Sequence, residues 1–136
     1  MRKHNLAFID IETTGLNLNK HEIIEIGCIV AKQVHQKDGI HKLKKIEEFE
    51  IKIKPEHIEL ADPRSLEING YKKEDWVNAV PLADALDILN KKASGAIMVA
   101  HNVSFDASFI NKGFSETGIK NKMHYHHLDT IVIAFA

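Results

Sequence analysis

The order of apolar and polar positions along this chain switches period several times, and each switch marks an element. Leu6-Ala7-Phe8-Ile9 running into Ile11 is nearly unbroken apolar sequence, the pattern of a strand over about 5–12. A second strand is expected over about 22–33, where the β-branched Ile23, Ile24, Ile26, Ile29 and Val30 cluster. Residues 34–39 read as a polar turn. Over about 43–54, Phe49, Ile51 and Ile53 alternate with Glu48, Glu50, Lys52 and Lys54, which predicts an edge strand with one wet face, ended by Pro55. Asp62-Pro63 opens a short helix to Ile68, and Asn69-Gly70 closes it. Helical spacing returns after Pro81, with Leu82, Ala85, Leu86 and Leu89 on one face. Ala96 to Ala100 is wholly apolar and reads as a central strand, followed by a helix carrying Phe105, Phe109, Ile110 and Phe114. His126-His127-Leu128 reads as a last short strand, with Asp129-Thr130 as the N-cap of a closing helix. Strands alternating with helices predict an α/β layered sheet. With no repeat, low-complexity tract or linker, residues 1–136 are expected to form a single domain.

Composition narrows the picture. A chain of 136 residues buries one core but not two, and 44% hydrophobic with 27% charged residues is ordinary for a globular protein. The net charge of −1 supplies no bulk attraction to nucleic acid, so any such binding needs local lysine clusters. The single Cys28 excludes an intramolecular disulfide and suits a reducing compartment. The apolar run after Met1-Arg2-Lys3 is too short for a signal peptide, and no stretch approaches membrane-spanning length. A cytoplasmic location and no membrane partner are expected. Phosphate-cradling, dinucleotide-binding and C-x-x-C motifs are absent. His21 to Glu25 lacks the second His of a zinc-protease helix, and His124, His126 and His127 read as solvent-facing.

The chemistry concentrates in Asp10-Ile11-Glu12-Thr13-Thr14-Gly15-Leu16. Side chains two apart on a strand share a face, so Asp10 and Glu12 stand side by side near a strand end. Two ionised carboxylates repel unless a cation lies between them, and hard oxygen ligands suit Mg²⁺ or Mn²⁺. Thr13-Thr14-Gly15 then breaks the strand and offers hydroxyls and N–H groups to a phosphate. A second polar group follows the central apolar strand: His101-Asn102, then Asp106 in the first turn of a helix, where the helix dipole favours a carboxylate.

Taken together, these two segments resemble the 3′→5′ exonuclease superfamily named for its four acidic residues (DEDD), which includes polymerase proofreading subunits, oligoribonuclease and ribonuclease T. Its first motif, D-x-E-T-x-x-L, is met by Asp10 to Leu16, and its second, H-N-x-x-F-D, by His101 to Asp106. Ile23-Ile24-Glu25-Ile26-Gly27 and Ser65 to Gly70 are supporting matches. The resemblance implies a ribonuclease-H-like, mixed five-stranded sheet with helices on both faces. It implies two Mg²⁺ (or Mn²⁺): Asp10 bridging both, Glu12 holding one and Asp106 the other. Thr13, Thr14, Gly15 and Leu16 would meet the terminal nucleotide, with His101 and Asn102 lining the same cleft. Partners would be single-stranded DNA or RNA 3′ ends, with a DNA polymerase or a second copy of the chain as protein partners.

The third motif, a His or Tyr and a fourth Asp at H-x-x-x-x-D spacing on a downstream helix, is not matched. His124 and Asp129 have that spacing but lie on an expected strand, where an odd separation puts them on opposite faces, only eighteen residues past Asp106. The sequence therefore reads as a piece whose C-terminal part is missing, carrying three of the family's carboxylates. The alternatives are a non-catalytic nucleic-acid- or partner-binding module on the same fold, and a metal-dependent phosphatase using the same carboxylates.

Overall fold

The structure, a computed structural model, describes residues 3–39 and 41–130. Five strands form one mixed sheet in the order β3-β2-β1-β4-β5. They are β1 (Leu6–Thr13), β2 (Ile23–His35), β3 (His41–Lys52), β4 (Ile97–Ala100) and β5 (His127–Asp129). The first three make an antiparallel meander, whereas β4 and β5 join β1's other edge in parallel. The expected edge strand is indeed outermost. Both β2 and β3 run further than the sequence pattern indicates, so the turn between them is shorter than residues 34–39.

Among the described residues the named α-helices are α1 (Pro63–Asn69), α2 (Leu82–Ala93) and α3 (Val103–Thr117). The Asp62 carboxylate accepts from Arg64 N–H at 3.0 Å and Pro63 takes the first turn, while Gly70 closes α1 at φ 71°, a left-handed value that suits glycine. Two short 3₁₀ turns, Ile58–Leu60 and Lys73–Trp76, have no counterpart in the sequence-based expectation. The second places Trp76 so that its indole N–H donates to Ile24 O at 2.9 Å.

The period-two alternation of β1 divides the sheet. Ala7, Ile9 and Ile11 join Ile26, Cys28 and Val30 of β2 in the main core, against Ala85, Leu86 and Leu89 of α2 and Phe109, Ile110 and Phe114 of α3. Leu6, Phe8, Asp10 and Glu12 therefore point to the opposite face. There a smaller cluster of Leu6, Ile97 and Val99 packs with Phe8 and Leu128. Residues 131–136, on which the expected closing helix falls, lie outside the described residues. The Asp129 side chain does not wait for that helix: its Oδ2 accepts from Val103 N–H at 3.3 Å, at the start of α3.

Candidate functional site

Pairing of β1 with β4 stops at Phe8↔Val99, and β4 itself ends at Ala100. Beyond that point one edge of β1 has no strand neighbour, and α3 begins beside it. Asp106, in the first turn of α3, fills the gap: its carboxyl accepts a hydrogen bond from Ile11 N–H. Two segments separated by some ninety residues in sequence thus meet at the C-terminal ends of β1 and β4. This is where open parallel strands present loops to a ligand.

The electrostatics record the meeting. Asp106 is 7% exposed and its carboxyl is pushed up to about 6, first by loss of hydration and then by the charge of Asp10. The Ile11 and Asp106 N–H groups and His101 oppose that rise. Glu12 is also raised, by burial first and then by Asp10, Glu25 and Asp106. Asp106 and Glu12 are thus both raised in part by the charge of Asp10, the signature of a site short of positive charge.

Register explains the remaining lining. Cross-strand partners share a face, so Glu12 meets Glu25 and then Lys52, whose Nζ lies 3.5 Å from Glu25 Oε1. Asp10 lies opposite Gly27, which puts no side chain in its way, and Glu50 follows. A cavity of about 620 Å³ opens on this face, lined among others by Asp10, Gly27, Glu48, Glu50, His101 and Thr130. His101 Nδ1 lies 3.2 Å from Thr130 Oγ1. Sequence reasoning overlooked Glu25, Glu48 and Glu50 because their place depends on strand register, which the strand pattern alone does not fix.

The turn after β1 is tightly built. Thr14 is 1% exposed; its Oγ1 accepts from Glu22 N–H at 3.0 Å and its own N–H donates to Glu22 O. Thr13 Oγ1 donates to Gly15 O at 2.7 Å, and Asn69 Nδ2 donates to Thr13 O at 3.0 Å. Both hydroxyls, expected to face a substrate, are thus engaged in shaping the turn. Gly15 packs on the His21 ring, where an added Cβ would sit only 2.3 Å from ring atoms. Lys112 Nζ on α3 donates to Leu18 O and His21 O, tying the turn to the helix. Leu16, by contrast, is 78% exposed at the tip. His101 and Asn102 are exposed at the β4–α3 junction.

His124 and Asp129 do not converge. Asp129 pairs with Ala100 at the carboxylate end of β4, whereas His124 N–H donates to Ala96 O at the other end. As the side chains stand, no group of three or more His, Cys, Asp or Glu among the described residues could hold a metal ion.

Comparisons with known proteins identify the family and the fold. The RNase_T family model, described as Exonuclease, matches residues 7–136. The chain is 31% identical over 119 residues to DNA polymerase III PolC-type of Lactococcus lactis subsp. lactis, covering 88% of this chain and 7% of that protein. It is 32% identical over 120 residues to the 3′-5′ exonuclease DinG of Staphylococcus saprophyticus, covering 88% of this chain and 12% of that one. The fold matches E. coli exonuclease I in complex with a dA13 oligonucleotide at TM-score 0.73 and 14% identity, over 96% of this chain and 29% of that one. The chain therefore spans a small part of the relatives it matches. A match over nearly the whole sequence, on a sheet that gathers acidic side chains at its strand ends, places this chain in the RNase_T exonuclease family.

Proposed function

We propose that this chain is the nuclease part of a 3′→5′ exonuclease acting on single-stranded nucleic acid, with Asp10, Glu12 and Asp106 as ligands of two Mg²⁺ or Mn²⁺ ions. The observation that carries the reading is the convergence of Asp106 with Asp10 and Glu12 beside the open edge of β1. The donor set fits hard divalent cations: the crowding that raises Glu12 and Asp106 is relieved by a cation among the carboxylates. Asp10 is exposed and Glu12 half-buried, so their side chains have room to close on an ion. Bound ions would polarise the scissile phosphodiester and stabilise the attacking and leaving oxygens.

The residues of the chain would do the rest. Leu16, exposed at the turn tip, offers an apolar surface to the terminal base, and the rigid Thr13–Gly15 backbone sets its position. His101, lining the same cavity as Asp10, faces the path of the strand. The names of relatives support direction and substrate: one is a 3′-5′ exonuclease, and a fold neighbour was solved with a DNA oligonucleotide. A proofreading role beside a polymerase would follow from the PolC-type relative.

The absence of a ready-made ion cluster among the described residues favours a second reading, a nucleic-acid-binding module without catalysis. The test is a 5′-labelled single strand with Mn²⁺, together with calorimetric titration of Mn²⁺ alone. Stepwise shortening from the 3′ end and Mn²⁺ uptake, both lost in Asp10→Ala, are expected. Strand binding with neither would leave the second reading standing. Release of phosphate from p-nitrophenyl phosphate with intact strands would indicate a phosphatase.

A further inference from the structure

The two ends of the sheet differ in charge. Carboxylates mark the C-terminal ends of β1 and β4. At the other end, β1 stops pairing with β2 at Leu6↔Ala31, but β2 and β3 continue together through Lys32↔Lys44, Gln33↔Leu43 and Val34↔Lys42. Residues 32–35 and 41–45 therefore continue as a two-stranded ribbon, with residues 36–39 in its turn; these stretches and residue 40 make up the segment 32–45. They carry Lys32, Lys37, Lys42, Lys44 and Lys45 against Asp38 alone. Lys32 and Lys44 are direct cross-strand partners, and Lys42, two residues from Lys44, shares their face. Like charges opposite one another work against the ribbon, so a counter-charge from outside would stabilise it. Among the described residues Lys32, Lys42 and Lys44 have no ion-pair partner, while Lys45 is taken by Glu48 at 2.7 Å.

The nearby carboxylates do not neutralise this end. Glu47 is held by Lys92 at 3.3 Å, and Asp38 sits in the ribbon's turn. The C-terminal turn of α2 carries Lys91, which lines a separate cavity of about 370 Å³ with Lys120, Lys122 and the one acid Asp87. The same end of the sheet carries a ring cluster. The His4 and His124 centroids are 4.4 Å apart, Tyr125 stacks on His124 at 4.6 Å, and His126 lies 4.2 Å from Tyr125. Tyr125 is 79% exposed. Lysines and exposed rings at one end of the sheet offer a nucleic-acid strand charge for its phosphates and flat surfaces for its bases.

We propose that this basic end, with Lys32, Lys42 and Lys44 at its centre, docks the phosphate backbone of a nucleic-acid strand well upstream of the 3′ end held at the carboxylates. The placement of the 3′ end rests on the function proposed above; the docking does not require catalysis. Lys32 follows Val30 on the helix-packed face, whereas Asp10 and Glu12 lie on the opposite face, so a strand that reaches both ends passes round the sheet.

The test is the triple variant Lys32→Gln/Lys42→Gln/Lys44→Gln, whose exposed positions leave the core intact, with its melting curve as the check on folding. Binding of a fluorescent single strand of about 20 nucleotides is followed by anisotropy in EDTA from about 50 to 200 mM salt, so that no hydrolysis is involved. The expected result is at least tenfold weaker binding at low salt and a salt slope reduced by about 2, from roughly 0.7 per lost phosphate contact. Unchanged affinity and slope on the long strand would overturn the proposal. So would an equal loss in the charge-matched variant Lys54→Gln/Lys72→Gln/Lys73→Gln, or no long-strand binding by the parent chain at all. Loss confined to binding of phosphatidylserine vesicles would assign the surface to a membrane instead and also overturn it. If the parent docks the long strand but never shortens it with Mn²⁺, the nuclease reading fails while the docking surface stands.

Discussion

Replacing Asp106 with Asn should make the cation-free chain more stable at alkaline pH, even while it removes a proposed ligand. Asp106 is nearly buried, and its carboxyl is pushed from 3.8 to about 6 by lost hydration and by Asp10. The folded chain therefore holds this proton more tightly than the unfolded chain does. Stability tied to that proton is fully present below about pH 4 and lost as pH rises through about 6. The interval corresponds to ~3 kcal/mol of ionisation cost at pH 8. Asn stays neutral throughout, and its Oδ1 can still accept from Ile11 N–H. It gives up the attraction of a carboxylate to the helix N-terminus, worth about 0.3–1 kcal/mol. The net expectation is a gain of about 1–2 kcal/mol at pH 8 and none at pH 4. For a chain of this size that is roughly 5 °C in melting temperature. Glu12 adds to the effect in the same direction, because Asp106 is one of the charges raising it.

The assay is thermal or urea unfolding of both chains in EDTA from about pH 4 to 8. If the variant is less stable at pH 8, or if the difference is the same at every pH, then Asp106 carries no buried charge penalty and the electrostatic reading of the site is wrong. Adding Mn²⁺ should invert the order at pH 8. A ligand at a hundred times its Kd stabilises the parent by about 2.7 kcal/mol, and the variant should gain far less.

Other expectations follow from the turn and the core. Gly15→Ala should cost about 1–3 kcal/mol, because its Cβ would press into the buried His21 ring; a melt within a few tenths of a kcal/mol of the parent would mean the turn yields freely. Leu16→Ala should alter stability by less than ~0.5 kcal/mol yet raise KM for oligonucleotides severalfold at similar kcat, and an unchanged KM would deny the contact with the terminal base. Trp76→Phe should lose about 0.5–1.5 kcal/mol with the indole hydrogen bond to Ile24 O, which keeps its bond from Ile53 N–H, measured by urea unfolding, with no change in strand binding.

Where the core imposes a period, the sequence was readable. Ile23 to Val30, Leu82 to Leu89 and Ile97 to Ala100 all lie where the pattern places them, because burial selects the residues that create the pattern. At the far ends of β2 and β3 the pairing extends beyond the expected strands, taking in Val34 and His35 of the expected turn, for the converse reason. Lys32, His35, Lys42 and Lys44 are exposed and carry no burial signal, and the pairing of the two strands is mainly a backbone matter. The two 3₁₀ turns are too short to show a period. Asp10 and Glu12 could be placed on one face from their spacing alone, but Glu25 became their neighbour only through register.

Thr14 shows the same limit inside the site. By residue type it is a polar group in a turn beside carboxylates, which suggests contact with a phosphate. Its burial follows from a closure over eight residues, in which β2 returns to lie against β1 and Glu22 N–H reaches the Thr14 hydroxyl. That hydroxyl's contribution would then be to fix where Leu16 and the Gly15 backbone stand. Asp106 reaches β1 by a comparable route. β4 is only four residues long, and its early end leaves Ile11 N–H without a strand partner. Another residue pair in β4 would satisfy that donor from the sheet and push α3 outward. The shortness of β4 is thus the feature that brings the third carboxylate to the other two.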